Sequence, residues 1–400
     1  MSFASVTTTP NQVAAATVLQ NSVGATGDMA TVLTELTGLS AGQARSAFDA
    51  VGGASIVAVR RAGTVFTNGF GEQLNRRLGA AGDAAVQMAA FNSPIRLAAN
   101  DWFSDAQPIY AQTPSSALAG TDRSLRDGRG IWIQAYGDAQ NTYGDGNAAA
   151  NRLSGGGLSG GIDSNIGEGL VLGVAGSIGT SRVSFDGLAD SGSSRGNALG
   201  VYGSYVTGPW TFKSVAGFGL NDNHLDRYIT VGALARRASS DFDSRNLSLY
   251  AEAAYDIKQA GYVLQPITAL SYVGTKTDDF TESGAGALNL QVAGQNTEST
   301  RSLFGARTNF DFDYFKLQVR ALWAHEFGNV NAPITASFSG APAAGTFQVS
   351  GVELKRDSLV LGLDAKGEIR KGVNLFASAQ AEGNSSQLGF AVFGGVSMSF

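Results

Sequence analysis

Residues 388–400, which read LGFAVFGGVSMSF, decide the fold class of this chain. Apolar side chains recur there at every second position, the period of a β-strand, in which successive side chains point to opposite faces. The apolar face carries Leu388, Phe390, Val392, Val396, Met398 and Phe400. A chain terminus frays unless something holds it, whereas the last strand of a closed transmembrane barrel pairs with the first. The stretch therefore predicts an outer-membrane β-barrel.

The composition fits a chain that meets a membrane through strands. Of the 400 residues, 43% are hydrophobic and 15% are charged, which argues against disorder. No apolar run approaches the ~20 residues that a membrane helix needs, so contact with a membrane requires a barrel or the surface. The net charge of −5 argues against a nucleic-acid partner, because such domains are usually basic.

Cysteine is absent. Its absence excludes disulfide frameworks, thiolate metal sites and cysteine nucleophiles. It also suits a chain that crosses an oxidising periplasm unfolded, with chance composition as the alternative. Residues 1–10 show no secretory signal peptide. We expect these residues to be disordered. We also expect the chain to be a fragment of a longer precursor, or the product of a gene that has lost its 5′ part.

The region 11–100 is alanine-rich and has helical spacing. It predicts short helices at 13–19, at 29–36 with Asp28 as the cap, and from a Ser40–Gln43 capping box onward. A longer pattern follows at 54–78. Glycines 63, 69 and 71 each cost it roughly 1 kcal/mol relative to alanine, so we expect a broken helix. Residues 101–126, with Pro108 and Pro114, predict a linker, and the period changes to 2 in the region 127–400.

That region contains about twelve strand candidates, most of them ten residues or longer. They lie at 129–138, 153–166, 169–184, 196–207, 209–222, 243–258, 261–276, 298–312, 314–328, 356–367, 372–382 and 388–400. Such lengths exceed the usual soluble strand and match the ~9–11 residues that cross a membrane. Tight turns near 167–169, 208–209, 260–261 and 371–372 alternate with long loops at 185–195, 223–240, 277–297 and 329–353. This asymmetry is typical of outer-membrane barrels.

A packed β-sandwich, or a sheet with one wet face, would also show alternating strands. Strand length, the terminal Phe400, and aromatic residues near strand ends favour the barrel. Those aromatic residues are Tyr262, Tyr272, Phe315 and Phe327. Together these features predict a mainly β fold, an antiparallel transmembrane barrel of about twelve strands preceded by a small helical region.

The charged residues on the polar face are the best candidates for a functional role. They are Lys213, Glu252, Lys258, Arg301, Arg307, Arg320, Glu326, Asp364 and Glu382. An arginine or lysine facing lipid near the midplane would cost ~2–4 kcal/mol, so we predict that these side chains line the lumen. There they pair with each other, contact a plug segment or set ion preference, or they merely solvate a water-filled interior.

Several short motifs then match a known family in order and spacing. They are Gly130-Ile131-Trp132, the glycine-rich run 155–161, Phe280-Thr281-Glu282-Ser283-Gly284, Trp323-Ala324-His325-Glu326-Phe327, Val349-Ser350-Gly351 with Lys355-Arg356-Asp357, and Val396-Ser397-Met398-Ser399-Phe400. Residues 124–400 resemble the C-terminal translocator barrel of autotransporters, the type V secretion proteins. Residues 10–120 resemble the alanine-rich helical region that often precedes this barrel.

The resemblance implies a twelve-stranded barrel in the outer membrane of a Gram-negative cell. It would anchor an N-terminal passenger and export it to the cell surface. Residues 11–100 would then be a helical linker or passenger remnant, and 107–126, within the linker 101–126, would thread the pore. The chain departs from the family in lacking a signal peptide and a long β-helical passenger.

The partners implied are outer-membrane lipid and lipopolysaccharide, an upstream passenger covalently attached to the barrel, and the barrel assembly machinery, which would read Val396, Met398 and Phe400. We expect a monomer.

Neither histidine predicts a catalytic or metal site. His325 falls on the lipid-facing side of its strand, and His224 lies at the expected start of a loop beside Asp222 and Asp226. There is no G-x-S-x-G nucleophile elbow, and no lysine follows the glycine run as a phosphate loop requires. We therefore expect no enzyme activity and no cofactor. The alternatives are a porin-like channel and a barrel attached to a hydrolase-type passenger.

Overall fold

The computed structural model describes residues 2–90, with side chains through Leu78, and residues 129–312 and 314–400. A 3₁₀ turn at Phe3–Val6 precedes α1 (Pro10–Asn21), α2 (Asp28–Thr37), α3 (Ala41–Gly52) and α4 (Ala54–Ala90). None of the described helices combines the length and the hydrophobicity that a bilayer-spanning helix requires. The predicted linker at 101–126 lies outside the described residues.

Twelve long strands of the described chain form the barrel. They are β1 (Arg129–Thr142), β2 (Asn151–Gly167), β3 (Leu170–Phe185), β4 (Ser191–Thr207), β5 (Trp210–Val231), β6 (Leu234–Tyr255), β8 (Tyr262–Thr277), β11 (Gln295–Asp311), β12 (Lys316–Glu326), β15 (Asp357–Arg370), β16 (Val373–Gly383) and β17 (Gln387–Ser399). A short β7 (Ile257–Gln259) follows β6 and also pairs with β8.

Every neighbouring pair in the barrel is antiparallel, and the ring closes. Strand β17 pairs with β1 from Ser399 opposite Gly130 to Gln387 opposite Thr142. The backbone N–H of Phe400 donates to the carbonyl of Arg129 over 3.0 Å, which fixes the terminus. The predicted fold class is confirmed.

The outer face of the barrel is apolar and the inner face is polar or small. On β17, Phe390, Val392 and Met398 are about half exposed, whereas Phe393 and Ser397 are buried. Exposed aromatic rings gather near the short turns, where Trp210 packs edge-on against Tyr255 at 5.0 Å between ring centroids. The alternation is therefore that of a barrel whose outer face meets lipid.

Strands β5 and β6 continue well past the other strands, where we predicted a loop at 223–240. The prediction was wrong because Asn221-Asp222-Asn223 looks like a turn, yet the alternation continues through Leu225, Arg227 and Ile229. A two-residue turn at 232–233 joins the strands, with Gly232 at φ +59°. The outward positions change from Phe218 and Leu220 to Asp222 and His224, so the extension stands beyond the apolar band.

The loops predicted at 277–297 and 329–353 also contain structure. They supply a four-stranded sheet of β9 (Phe280–Thr281), β10 (Leu290–Val292), β13 (Ile334–Phe338) and β14 (Phe347–Val349). We call this sheet, the helices α1–α3 and the extensions of β5 and β6 the cap. Its buried core includes Leu19, Val32, Phe48, Leu225, Ile229, Leu288 and Phe338. The cap lies at the long-loop end of the barrel.

The helices of the cap follow their sequence signals with one exception. Thr9 caps α1, and the Ser40–Gln43 capping box of α3 is confirmed. Asp28 is instead the first residue of α2 and not its cap. Its carboxylate accepts two hydrogen bonds from Arg236, at 2.6 and 2.7 Å. These bonds hold the pKa of Asp28 below its ordinary value.

A buried ion pair lies at the centre of the cap. Arg227, fully buried, donates two hydrogen bonds of 2.7 Å to Glu282 and one of 2.8 Å to the carbonyl of Ala50 in the last turn of α3. Glu282 also accepts the backbone N–H of Leu290 at 2.9 Å. The pair thus connects α3, β5 and the small sheet.

Replacing Arg227 by methionine should open the cap while the barrel stays folded. The change leaves Glu282 buried and unpaired, which costs about 3–5 kcal/mol. The matched control is Arg245→Met on β6, because its contact with Asp278 is long (3.4 Å) and exposed and such pairs contribute about 0–1 kcal/mol. Hydrogen exchange of the α3 amides in detergent measures the difference, and equal protection in the two variants would contradict it.

Candidate functional site: the barrel interior

Helix α4 occupies the interior of the barrel. Its first turns, with Ile56, Val59 and Ala62, belong to the core of the cap. Further along, Phe70, Leu74 and Leu78 pack against the inner wall, formed by Trp132, Ala175, Ala198, Tyr202 and Val215. At 1.5 Å per residue, residues 54–78 rise ~37 Å, more than the ~25 Å apolar band of such barrels. The helix therefore runs from the long-loop end to the end with short turns.

Two sequence predictions bear on this helix. We expected 54–78 to be broken at its glycines, but α4 is continuous because the barrel wall packs around it. We assigned pore threading to 107–126, and that segment lies outside the described residues.

Glycines on the wall let the helix come close. Inward-facing glycines lie at Gly192, Gly196 and Gly200 on β4 and at Gly219 on β5. A Cβ added at Gly196 would lie 2.5 Å from the ring of Phe66, and one added at Gly200 would lie 2.7 Å from Leu74. Real side chains do not approach so closely, so only glycine permits this packing. These inward glycines make room for α4.

A hydrogen-bonded chain fixes the far end of the helix. Arg77 donates to both oxygens of Asp163 on β2, at 2.7 and 3.0 Å. The Tyr202 hydroxyl donates to the same carboxylate at 2.9 Å and accepts from the indole N–H of Trp132 at 2.7 Å. Because Asp163 lies opposite Gly130 at the start of β1, this anchor is at the short-turn rim. Its bidentate, charge-assisted geometry is of the strong kind.

Arg76 fixes the helix to a second part of the wall, three to four strands from β2. It donates to Asp364 on β15 at 2.7 Å and to Gln380 on β16. The Gln380 amide donates in turn to Glu72 of the helix at 2.8 Å. The Arg76 guanidinium also lies over the ring of Phe393, 4.8 Å from its centroid. Together with Arg77, it holds the last described turns of α4 from two sides.

Smaller polar contacts complete the attachment of the helix. The side-chain carbonyl of Gln73 accepts from Gln134 at 2.8 Å and from Ser159 at 2.5 Å. Nearer the cap, the hydroxyls of Thr64 and Thr275 are 2.9 Å apart. The helix nevertheless leaves space beside it. A cavity of about 350 Å³ lies towards β1 and β15–β17.

Three of the nine charged residues predicted to line the lumen meet on the inner wall. Glu252 lies 2.7 Å from Arg307 and 3.5 Å from Lys213, and all three are buried. The Tyr250 hydroxyl donates to Glu252 at 2.6 Å. This group joins β5, β6 and β11 across the wall.

Four more of the nine form a second group. Arg301 donates to Glu382, which also accepts from Ser358 at 2.9 Å. Arg320 donates to Gln380, the residue that also contacts Arg76, and Asp364 accepts from Arg76. These side chains line the β11–β16 side of the barrel, opposite the glycine wall.

The remaining two predicted residues lie apart. Glu326 closes a turn at the end of β12, where it accepts from the backbone N–H of Thr300 at 2.9 Å and of Gly328 at 2.6 Å. Lys258 is exposed on β7 near the short turns and does not join the interior groups. For Lys258, the predicted lumen position stays a prediction.

The motif residues taken from the family resemblance have structural roles here. Trp132 anchors Tyr202, and Glu282 holds Arg227. Phe280 stacks on Phe242 with centroids 4.4 Å apart. Gly284 has φ +96°, and a Cβ there would lie 2.5 Å from the Arg237 carbonyl. The motifs therefore mark the rim of the barrel and the junction of the cap.

The second tryptophan motif lies on the outer face. Asp357 accepts from Trp323 at 3.0 Å and lies 2.8 Å from His325. The ring of Phe327 packs edge-on against His325 at 4.8 Å. His325 is thus at the outer surface, where its strand parity placed it.

His224 lies in strand β5 and not at a loop start, which corrects the prediction. Its Nδ1 is 2.7 Å from Asp241, and this hydrogen bond raises its pKa above the ordinary value. Within the residues whose side chains are described, no group of three or more histidine, aspartate or glutamate residues is arranged to hold a metal ion.

Sequence reasoning missed the helix side of the site. Gln73, Arg76 and Arg77 were not singled out, although three polar side chains within five residues mark a helix face that needs polar partners. Asp163 was missed as well, although the alternation of inward and outward positions along β2 places it on the inward face. Arg227 gave no signal, because it lay in a presumed loop.

Comparisons with known proteins agree with this architecture. The family model described as the Autotransporter beta-domain matches residues 131–380. Two curated proteins, each described as an extracellular serine protease of Serratia marcescens, are 25% identical over 255 and 254 residues. These alignments cover 62% of this chain and 24% of each protease, so the chain spans about a quarter of the length of these relatives.

Solved structures show the same fold. The translocator domain of the autotransporter NalP from Neisseria meningitidis superposes with a TM-score of 0.57 at 19% identity, covering 68% of this chain and 88% of that one. The transport unit of the autotransporter AIDA-I from Escherichia coli gives 0.54 at 15% identity, covering 72% and 94%.

Replacing Gly196 by valine should loosen α4 and raise ion conductance in planar bilayers. The added side chain collides with Phe66, whereas the same change at lipid-facing Gly176, whose nearest neighbour would be 3.5 Å away, should leave conductance unchanged. The wild-type chain should conduct weakly, because the helix fills most of the pore. Equal conductance in all three proteins would show that α4 does not limit ion flow.

Proposed function

The chain belongs to the autotransporter beta-domain family of outer-membrane translocator barrels, and from this premise we propose that it exports an N-terminal passenger and anchors it at the cell surface. In this proposal α4 is the part of the exported chain that stays in the pore. Residues 2–52, folded in the cap, are the first part outside it. The upstream passenger would continue from there.

The direction in which α4 runs through the barrel is the observation that supports the proposal. The chain before Ala54 lies at the long-loop end, and Arg77 lies at the short-turn rim beside the start of β1. In outer-membrane barrels short turns face the periplasm and long loops face the exterior. A chain exported through its own barrel would be left in this arrangement.

We propose further that the barrel itself has no catalytic role and binds no cofactor. The similarity to extracellular serine proteases covers a quarter of those proteins. A hydrolase-type passenger therefore remains an alternative for the upstream part. A diffusion channel is the other alternative, and an α4 that fills most of the lumen argues against it.

The proposed partners of the barrel are lipid and lipopolysaccharide on its apolar outer face, and the assembly machinery that inserts it. Phe400, with Val396 and Met398, is the proposed signal for that machinery. All three side chains lie on the outer face of β17 or directly after it, accessible before the barrel is inserted. We propose that the barrel acts as a monomer.

A cysteine-free reporter fused ahead of Ser2, with a signal peptide, tests export directly. It should become accessible to protease added to intact cells, while the barrel resists unfolding by detergent at room temperature. A reporter that stays in the periplasm behind a fully inserted barrel would contradict the proposal.

Deleting Phe400 should lower the amount of inserted barrel more than any single substitution in the external loops. The deletion removes the exposed aromatic side chain and the backbone bond to Arg129. Phe400→Ala keeps that bond, so it separates loss of the signal from loss of closure. Heat-modifiable barrel in membrane fractions is the measurement, and unchanged insertion of both variants would count against an assembly signal.

A further inference from the structure

Three buried asparagines line the inner wall beside α4. Asn221 and Asn223 lie on β5 and Asn246 lies on β6, each no more than 2% exposed. In the strand register, Asn221 is opposite Gly196 on one side and Ser244 on the other. Asn246 is opposite Gly219. We call these three residues the asparagine patch.

The hydrogen bonding of the patch is incomplete. Neither the Nδ2 nor the Oδ1 of Asn221 has a partner among the described residues, and the same holds for Oδ1 of Asn223 and Nδ2 of Asn246. The hydroxyl of Thr67, on the face of α4 above Gly219, is also unpaired within the described part. A buried polar group without a partner costs about 1–3 kcal/mol, and native walls rarely accumulate several.

Helix α4 covers the patch but offers it little to bind. Gly63 lies directly over it, since a Cβ there would be 3.0 Å from the Ser244 hydroxyl and 3.1 Å from the Asn221 carboxamide. What faces the patch at this point is helix backbone. Backbone N–H and C=O groups inside a helix bond to each other, so they have no capacity left for a side-chain amide. An extended chain, in contrast, presents free groups of both kinds.

We propose that the asparagine patch, with Gly196 and Gly219 beside it, binds the main chain of an extended polypeptide, namely the passenger in transit, before α4 takes its place. Asn221 offers a carbonyl acceptor and an amide donor group, Asn223 offers its carbonyl and Asn246 its amide donor group, which together match the alternating groups of an extended backbone. The glycines let that backbone approach the wall. The inference rests on the proposed function, because it concerns the segment being exported.

The chemistry of the patch suits a ligand of any sequence. Its asparagines and their neighbours Ser194 and Ser244 are uncharged, so they recognise peptide groups and not particular side chains. The charged groups lie elsewhere on the wall, with Lys213 and Glu252 nearer the short turns and Arg227 in the cap. A translocation path has to bind every segment weakly, and amide side chains meet that requirement.

The double variant Asn221→Leu with Asn246→Leu tests the inference. Leucine has the same branched arrangement of side-chain heavy atoms as asparagine, and the change removes the unpaired groups together with the bond that Thr275 donates to Asn246. We therefore expect the purified barrel to melt at an unchanged or higher temperature. In pulse-chase experiments with the upstream reporter, we expect the half-time of surface exposure to lengthen by roughly fivefold per net hydrogen bond lost. The matched control is Asn197→Leu on the outer face of β4, which should change neither quantity.

Cysteine cross-linking gives a second, independent measurement, because the chain has no cysteine of its own. The reporter for this experiment carries a single cysteine and a folded domain that stalls export. In the Asn221→Cys barrel, the reporter cysteine should form a disulfide with the cysteine introduced in the wall. The Asn197→Cys barrel should form none. If the leucine variant folds poorly, the presence or absence of this cross-link tests the inference by itself.

The outcomes separate the two proposals. A wild-type barrel that never exposes the reporter overturns the proposed function. Normal export with no cross-link at Asn221 overturns the inference alone and would mean that the patch holds only water. Slow export of the leucine variant without a cross-link also overturns it, because the effect would then act through α4.

Discussion

Every structural feature of this protein depends on one constraint, that a backbone crossing lipid finds no water to bond with. Each strand must therefore pair on both sides, and the sheet must close. The pairing of β1 with β17 and of β8 with β11 meets this demand. Closure sends apolar side chains outward and leaves an inner surface of glycine, amide and charged residues, which in turn needs an occupant or water.

A helix is a suitable occupant because it satisfies its own backbone. It can then pack against the wall through side chains alone, and the inward glycines of β4 and β5 allow close contact. Buried ion pairs such as Arg77 with Asp163 add little net stability, since desolvation opposes attraction. Their value is positional, because they fix the depth and rotation of α4.

The sequence predicted the barrel far better than its contents. Period-2 alternation located all twelve strands, because each outward face must be apolar along its membrane-crossing part. The predicted bounds of β5 and β6 left out their extensions, because Asn221-Asp222-Asn223 looks like a turn. The pairings of Trp132 with Tyr202 and of Glu282 with Arg227 span 70 and 55 residues. No local pattern in the sequence reveals such contacts. The family resemblance identified Trp132 and Glu282, and the structure identified their partners.

The attachment of α4 is uneven along its length, and this unevenness has a physical meaning. At one end, Gly53 with φ +79° joins it directly to α3, whose last turn is held by Arg227. At the other end, Arg76 and Arg77 fix it to two different parts of the wall, on β15–β16 and on β2. Between these anchors Gly63 and Thr67 lie over wall amides that keep atoms without a partner among the described residues. If α4 is the exported segment that comes to rest in the pore, as proposed, its polar groups need not match every polar group of the wall.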